Sequence, residues 1–254
     1  MYQYLEIFNL GSIPMYNFLI GIGTILAFIF LDREISKSTI SFKVHNKIYY
    51  SLIIALLACF AGAKIFEMVY HNIPFTLDNF MSGGFTFLGG LITGVVFYIS
   101  AALLFGIKLN IAVNIAVPYL ALAHAFGRIG CFLGGCCYGR PTDSFLGVMF
   151  PQGSLPAQHF GSHTHLHPTQ LYESVGLFII FFFLIRLVKF NYRIWFYLIS
   201  YGTIRFVVEI FRADDRGSII TDVISPSQII SLVFITIGVI AFMFEKRRVT
   251  SVVE

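Results

Sequence analysis

The central stretch of this 254-residue chain, residues 127–140, reads GRIGCFLGGCCYGR and combines five glycines, three cysteines and two arginines. Glycine at this density does not sustain a helix, and it lets the backbone approach a ligand closely. Arg128 stands where a long apolar segment ends, and its guanidinium is a planar fork of donors that suits a phosphate. The pattern therefore predicts a loop that binds a phosphate group, such as that of a lipid headgroup.

A second group of polar residues interrupts an apolar segment near the C-terminus. Its members are Tyr201, Arg205, Glu209 and Arg212. Their spacing places them on one face of a helix. Ionisable groups in such a segment are costly unless they pair inside a bundle, so one interpretation is a structural ion pair between Arg205 and Glu209. The other interpretation is a clamp in which Arg128 and Arg205 hold a phosphodiester and stabilise charge on a departing phosphate.

The three cysteines of the central stretch suggest metal binding or nucleophilic catalysis, but their spacing gives little support to either. Cys131, Cys136 and Cys137 form a C-x4-C-C pattern that matches no common zinc motif. We therefore predict that they pack as small apolar side chains, and we predict neither a metal site nor a cofactor. A nucleophilic cysteine is a weaker alternative, because no histidine and carboxylate follow at a fixed local spacing.

Histidines are concentrated in the same half of the chain. They are His124, His159, His163, His165 and His167. His167 comes beside Gln170 and Glu173 at a predicted helix start, and it is the candidate catalytic base because imidazole titrates near neutral pH. Solvated histidines of a polar loop are nevertheless commoner than catalytic ones.

Composition indicates a polytopic membrane protein. Hydrophobic residues make up 57% of the chain and charged residues only 12%, far from the composition of a soluble domain. Seven apolar segments predict an all-α protein of about seven transmembrane helices in a single domain, residues 1–254. The predicted spans are 13–31, 48–70, 85–107, 109–126, 170–188, 194–211 and 224–244. A net charge of +4 gives no indication of nucleic-acid binding.

Lysine and arginine accumulate on one side of these spans, which predicts an outer N-terminus and a cytoplasmic C-terminus. The central stretch and the acidic residues Asp214, Asp215 and Asp222 then face outward. Two predicted helix starts on that side are alike, HPTQ at 167–170 and SPSQ at 225–228, each with a polar cap, a proline and a glutamine. Their positive N-terminal ends favour an anion.

The second and third spans contain features that we interpret as structural. The spacing of Gly90 and Gly94 lets two helices approach closely. We favour this packing role over a ligand role for any single glycine. Lys64 and Glu67 lie one turn apart in an apolar helix, and a structural role is favoured for them.

Six motifs in order resemble the prolipoprotein diacylglyceryl transferase family of bacterial plasma membranes. They are SIPMYNFL, GGFTFLGGLITG, HAFGRIGCFLGGCCYGR, HPTQLYES, YGTIRFVVEIFRADDRG and ISPSQIISL. The resemblance implies transfer of the diacylglyceryl group of phosphatidylglycerol to the lipobox cysteine of a prolipoprotein, with release of glycerol phosphate. The implied partners are that lipid, the prolipoprotein signal peptide and the surrounding membrane lipids, and the implied active site is extracytoplasmic.

The resemblance also implies the site residues. The implied catalytic residues are Tyr16, Arg128, His167, Tyr201, Arg205 and Glu209. The implied substrate-binding residues are Gly89, Gly90, Arg128, Gly139, Gln170, Tyr172, Glu173 and Arg212.

This chain departs from the family pattern at three positions. Leu88 replaces a histidine found in much of the family, and Cys131 and Cys136 stand where asparagine and glutamate are frequent. A leucine cannot take a proton from the incoming thiol, so another group does so or departure of the phosphate dominates. Two alternatives stay open, a transporter that uses Lys64, Arg205 and Glu209, and a homologue of the same fold with an altered acceptor or no catalysis.

Overall fold

The computed structural model describes residues 4–7, 11–38, 41–82, 84–213 and 224–250. Over these residues the chain forms nine α-helices and four short strands. In chain order they are β1 (Tyr4–Ile7), β2 (Gly11–Pro14), α1 (Met15–Lys37), α2 (Phe42–Tyr70), α3 (Leu77–Ser82), α4 (Phe87–Leu104), α5 (Leu109–Gly134), β3 (Val148–Met149), α6 (Leu155–Phe160), β4 (His165–Leu166), α7 (Thr169–Arg186), α8 (Arg193–Ile210) and α9 (Pro226–Thr250). A 3-10 turn, Phe190–Tyr192, precedes α8. The strands pair as two antiparallel hairpins, β1 with β2 and β3 with β4.

Each of the seven predicted spans coincides with a helix, namely α1, α2, α4, α5, α7, α8 and α9. Within the described ranges, α1, α2, α5, α7 and α9 are long and apolar enough to cross a membrane, and α4 is a shorter apolar helix. Helix α8 carries Arg193, Arg205 and Glu209 in its 18 residues, so its composition alone does not mark it as a span. The prediction of an all-α polytopic membrane protein is confirmed, whereas its orientation stays a prediction.

The chain divides into two compact units, one formed by Arg33–Ile115 and the other by Met1–Asp32 with Ala116–Glu254. In the first unit, α2 and α4 pack directly on each other. A methyl group at Gly90 would lie 3.0 Å from the carbonyl oxygen of Cys59 and 3.1 Å from the side chain of Ala63. The predicted close helix approach is therefore confirmed, and the prediction of a single domain stays a prediction.

Lys64 and Glu67 of α2 make structural contacts within this unit. The Nζ of Lys64 donates a hydrogen bond to the carbonyl of Met81 and lies 4.3 Å from the ring centroid of Phe85. The carboxylate of Glu67 accepts a 2.6 Å hydrogen bond from the hydroxyl of Thr86. Lys64 thus connects α2 to α3 and to Phe85, and Glu67 connects α2 to Thr86, which supports the structural interpretation.

In the other unit, α8 packs between α7 and α9 at small residues. A methyl group at Gly176 of α7 would lie 2.7 Å from Ile204 of α8, and one at Gly202 of α8 would lie 2.9 Å from Ile235 of α9. These close approaches bring the polar face of α8 next to α7 and to the first turn of α9. Helix packing therefore positions Tyr201, Arg205 and Glu209. The prediction that Arg212 lies on the same helix face was wrong, because α8 ends at Ile210 and Arg212 forms a β-bridge with Gly139 of the central stretch.

The two similar helix starts behave differently. At α9, Ser225 Oγ accepts from the backbone N–H of Gln228, and the Gln228 side chain accepts from the Ser225 N–H, so the predicted capping box is confirmed. At α7 the prediction of a polar cap was wrong. The helix begins at Thr169, Pro168 occupies the cap position without a side-chain hydrogen bond, and the Gln170 side chain binds a loop carbonyl instead. The predicted acidic turn of Asp214, Asp215 and Asp222 lies outside the described residues.

Candidate active site

A short backbone ladder holds the end of the central stretch in place. The Gly139 N–H donates to the carbonyl of His167, and the His167 N–H donates to the carbonyl of Arg140, each at 3.0 Å. On the other side the Arg140 N–H donates to the carbonyl of Phe211 at 2.8 Å, and the Ala213 N–H donates to that of Tyr138 at 3.3 Å. The stretch is thereby tied to the residues that precede α7 and to those that follow α8.

Gly139 occupies the tightest point of this ladder. A methyl group there would lie 2.6 Å from both the Cβ and the carbonyl oxygen of His167, and 2.7 Å from the carbonyl oxygen of Phe211. Only glycine fits without displacing backbone. The structure thus gives Gly139 a packing role, and its predicted part in substrate binding stays a prediction.

Glu173 of α7 is the centre of a buried group of charged side chains. One of its carboxylate oxygens lies 2.7 Å from Arg128 Nη2 and 3.6 Å from Arg205 Nη1. The other accepts a 3.1 Å hydrogen bond from the Tyr201 hydroxyl and lies 3.8 Å from His124 Nε2. Because Glu173 is only 1% exposed, its charge is compensated by these partners and not by bulk water.

Glu209 of α8 is the second carboxylate of this group. It lies 2.6 Å from Arg205 Nη2 and 3.8 Å from Arg212 Nε, and it accepts a 2.9 Å hydrogen bond from the Ser225 hydroxyl at the start of α9. Arg205 Nη2 also donates to the Ser227 hydroxyl at 3.0 Å. Arg205 therefore bridges the two carboxylates, and the start of α9 fixes its second edge.

We call the five charged residues Arg128, Glu173, Arg205, Glu209 and Arg212 the charged cluster. Three guanidiniums and two carboxylates leave it with a formal charge of +1. Among the described residues, Arg128 Nε and Arg205 Nη1 are buried and donate no hydrogen bond. Two buried guanidinium N–H groups that donate no hydrogen bond among the described residues favour an anionic ligand with several acceptor oxygens. The structure thus brings Arg128 and Arg205 together on one carboxylate, as a phosphate clamp requires.

The sequence model of the prolipoprotein diacylglyceryl transferase family matches residues 5–244 of this chain. Among curated relatives, phosphatidylglycerol–prolipoprotein diacylglyceryl transferase of Clostridium tetani (strain Massachusetts / E88) is 34% identical, over 95% of this chain and 98% of the relative. The chain belongs to the prolipoprotein diacylglyceryl transferase family. A second protein of that name, from Clostridium perfringens (strain 13 / Type A), is 32% identical over 96% of this chain and 94% of its own length. This full-length match to a transferase family decides against the transporter alternative.

Among the other residues that this family resemblance implied, Tyr16, His167 and Tyr172 lie near the central stretch. Tyr16 packs on Gly130, where an added methyl group would lie 3.2 Å from its ring. His167 Nδ1 lies 3.1 Å from the Tyr172 hydroxyl, and its ring contacts that of Phe211. These positions are compatible with contact to a substrate headgroup, and the catalytic and binding roles of the three residues stay predictions.

Gly89 and Gly90 lie in α4 against α2, in the compact unit that does not contain the charged cluster. A methyl group at Gly89 would overlap the Phe66 side chain. The described contacts of both glycines are thus with protein, and their predicted role in substrate binding stays a prediction. Leu88, next to them, is an exposed apolar side chain.

Sequence reasoning did not recognise Glu173 as the carboxylate that joins the two arginines. It also missed His124, Ser225 and Ser227 as members of the surrounding network. A signal for Glu173 was available, because a glutamate in the apolar helix of 169–186 needs a cationic partner. Which arginine serves as that partner depends on helix packing, which no local spacing specifies.

The three cysteines of the central stretch are gathered by a tight turn. Gly135, with φ of 70°, follows the end of α5, and the Cys136 N–H then donates back to the carbonyl of Cys131 at 3.1 Å. Cys137 follows with φ of 62°. The three sulfur atoms lie within 4.8 Å of one another, and we call them the thiol cluster. Hydrogen bonds from the other two thiols lower the pKa of Cys137, and the positive charges of Arg212 and Arg128 add to that effect.

Proposed function

We propose that this chain transfers the diacylglyceryl group of phosphatidylglycerol to the thiol of the lipobox cysteine in a prolipoprotein and releases glycerol phosphate. The family match and the names of the relatives support this reaction. The observation that carries the assignment of the site is the charged cluster, in which Arg128 and Arg205 meet on Glu173 and each has a buried N–H group that donates no hydrogen bond among the described residues. The protein acts in the bacterial plasma membrane, and its active site faces the extracytoplasmic side.

The charged cluster holds the phosphodiester of the lipid. The N–H groups at Arg128 Nε and Arg205 Nη1, which donate no hydrogen bond among the described residues, donate to its oxygens. As the carbon–oxygen bond breaks, a second negative charge develops on the departing glycerol phosphate. The same donors stabilise it, and because the protein already orients them, little reorganisation is required.

The carboxylates of the cluster act as positioning residues. Glu173 fixes Arg128 and Arg205 relative to each other, and Glu209 fixes the second edge of Arg205. Tyr201 donates to Glu173 and keeps its carboxylate oriented. A direct contact of either carboxylate with the lipid phosphate is unfavourable, since like charges repel.

The remaining assigned residues surround this clamp. Arg212 adds positive charge beside Glu209. Tyr16, His167 and Tyr172 contact the glycerol headgroup, and Gln170 holds the backbone of the central stretch through the carbonyl of Cys136. The nucleophile is the thiol of the acceptor protein, so the enzyme needs no nucleophilic side chain of its own.

The decisive experiment uses purified protein in nanodiscs that contain phosphatidylglycerol, with a synthetic lipobox peptide as acceptor. Peptide mass and released glycerol phosphate are followed together. We expect both products from the wild type, and a loss of about 100-fold or more in Arg128→Ala and Arg205→Ala, the effect of removing a donor that stabilises developing charge. Arg128→Lys keeps the charge and loses the fork, so it recovers only part of the rate.

Arg186→Ala is the matched control, because Arg186 is an exposed arginine in the last turn of α7. We expect it to retain wild-type activity. If folded wild-type protein produces neither product, the proposed reaction is wrong for this chain. If Arg128→Ala and Arg205→Ala retain full activity while the wild type is active, the reaction stands and the clamp is wrong.

A further inference from the structure

The thiol cluster contains two of the three positions at which this chain departs from the family resemblance, Cys131 and Cys136, and the proposed reaction assigns no role to it. Cys131 lies in the last turn of α5, which ends at Gly134, and the turn through Gly135 brings Cys136 and Cys137 back towards Cys131. None of the three cysteines is in a disulfide. Three sulfur atoms that converge within 4.8 Å are far more than small apolar packing requires.

The backbone that carries these thiols is held by two fully buried side chains of α7. Thr169 donates from its hydroxyl to the carbonyl of Cys137 at 2.7 Å, and Gln170 donates from its amide to the carbonyl of Cys136 at 2.6 Å. Both side chains are 0% exposed. Hydrogen bonds of this kind behind a ligand set orient it and raise its affinity for a metal. The cluster is thus a preorganised arrangement and not three mobile thiols.

The dimensions match those of a thiolate-bound zinc ion. A zinc–sulfur distance of about 2.3 Å in a tetrahedral site puts ligand sulfurs about 3.8 Å apart. The observed upper limit of 4.8 Å requires a movement of no more than about 1 Å, which side-chain rotation supplies. Soft thiolate ligands select zinc or monovalent copper over hard cations such as magnesium.

Three protein ligands are the number found in catalytic zinc sites, which keep the fourth position for water or substrate. Among the described residues, no histidine, carboxylate or fourth cysteine joins this ligand group. Arg128 and Cys131 are also one turn apart on α5, so the cluster adjoins the phosphate clamp. Among the described residues, an ion bound here therefore has an open position next to the phosphate clamp.

We propose that Cys131, Cys136 and Cys137 bind one zinc ion whose fourth ligand is the thiol of the lipobox cysteine. This inference rests on the proposed transferase function. It gives the acceptor thiol a defined site, and it accounts for activation of that thiol in a chain where the frequent histidine is replaced by Leu88.

The chemical step balances without a further reactant. The acceptor thiol loses its proton to water when its sulfur binds the ion, because a metal-bound thiol is deprotonated. This sulfur attacks the glycerol carbon that bears the phosphate, forming the carbon–sulfur bond. The carbon–oxygen bond breaks, its electron pair stays on the departing glycerol phosphate, and Arg128 stabilises that charge. The thioether product is a poorer ligand than a thiolate, so it leaves the ion.

The first test measures metal directly and does not depend on activity. Wild-type protein, reduced and stripped with a chelator, is titrated with zinc against a chromogenic competitor, and bound metal is counted by mass spectrometry. We expect one zinc per chain, and about a 100-fold weaker affinity in Cys136→Ser and in Cys131→Ser. Cys59→Ala is the matched control, since Cys59 lies in α2 outside the cluster, and it retains one zinc.

The second test asks whether the fourth position takes the acceptor. Cobalt replaces zinc, and its thiolate charge-transfer and ligand-field absorption are recorded during titration with a lipobox peptide. A peptide with cysteine adds a fourth sulfur and changes the spectrum, whereas the same peptide with serine in place of that cysteine does not. An identical response to both peptides overturns the assignment of the open position.

The third test separates this inference from the proposed reaction. We expect stripped wild-type protein to lose diacylglyceryl transfer by about 100-fold and to regain it with zinc but not magnesium. Full transfer by metal-free protein overturns the zinc proposal, and the proposed transferase reaction then stands. If the protein binds one zinc ion but shows no transfer under any condition, the metal site stands and the proposed reaction is wrong. Failure to bind zinc, with a disulfide recovered between two of the three cysteines, also overturns the proposal.

Discussion

Two glycine-rich regions of this protein use glycine in different ways. In the α4 seam, formed by Gly89, Gly90 and Gly94, each missing side chain is replaced by an atom of α2, so the glycines serve helix contact. In the central stretch, Gly135 supplies a left-handed turn and Gly139 lets three backbone segments meet. The first region brings apolar helices together, whereas the second brings charged groups and thiols together.

The difference shows which feature indicates a site. Both regions are equally conspicuous in the sequence, and glycine density does not distinguish them. What distinguishes the central stretch is its polar environment, in which Arg128 Nε is buried without a hydrogen bond among the described residues. A buried polar group of this kind needs water or a ligand as its partner, whereas close helix packing needs neither.

The largest effect is expected from Glu173→Ala, which removes the central carboxylate of the charged cluster. It leaves three guanidiniums with one carboxylate among the described groups, and breaking such a buried network costs about 3–5 kcal/mol. We expect a large drop in the thermal unfolding temperature in detergent and complete loss of transfer. Asp143→Ala, at an exposed loop carboxylate, is the control and leaves both unchanged. Wild-type stability in Glu173→Ala would contradict the central role of this residue.

Gly139→Ala is expected to have the next largest effect. Its methyl group would lie 2.6 and 2.7 Å from two backbone carbonyl oxygens, so one segment of the ladder has to move. Overpacking of this kind costs about 1–3 kcal/mol. Amide hydrogen exchange of residues 138–142 and 211–213 should become faster, and transfer should fall as the central stretch shifts. Gly21→Ala is the control, because nothing lies within 4 Å of a methyl group at Gly21 and Gly21 is an ordinary helical residue of α1.

Ser225→Ala tests whether the hydrogen bonds of Ser225 at the start of α9 support the charged cluster, and its expected effect is smaller. The variant loses the cap of α9 and the hydrogen bond to Glu209, and loss of such a cap costs about 1 kcal/mol. We expect a modest decrease in unfolding temperature and a partial loss of transfer. Thr236→Ala removes a hydroxyl that bonds only within α9, and it should have little effect on either quantity. Equal effects of the two variants would show that Ser225 does not support the cluster.

Gly90→Ala is the mildest change and addresses the α4 seam. Its methyl group meets the Cys59 carbonyl at 3.0 Å, while alanine gains about 0.5–1 kcal/mol of helix propensity. We expect the two effects to offset each other to within about 1 kcal/mol, with an unchanged KM for phosphatidylglycerol. A raised KM at unchanged stability would instead support the substrate-binding role that the family resemblance implies for Gly90.

Much of the fold was predictable because long apolar segments have few alternatives in a membrane. All seven predicted spans correspond to helices, including α8 despite its charges. The short elements α3 and α6 and the two hairpins were not predicted, because six or fewer residues carry too little periodicity. The start of α7 was mispredicted because Thr169 and Gln170 bind the carbonyls of the central stretch, and this long-range use of their side chains has no local signature.

The sequence by itself determined the membrane architecture, the family and the positions of Arg128 and Arg205, since these depend on composition and on motifs read along the chain. Only the tertiary structure decided that both arginines meet on Glu173, and that the three cysteines of an uninformative spacing converge within 4.8 Å. The physical reason differs between the two. Charge pairing depends on helix packing, which joins segments that are distant in the chain. The sulfur atoms converge through a local left-handed turn whose carbonyls α7 holds, and the C-x4-C-C spacing alone does not specify that backbone conformation.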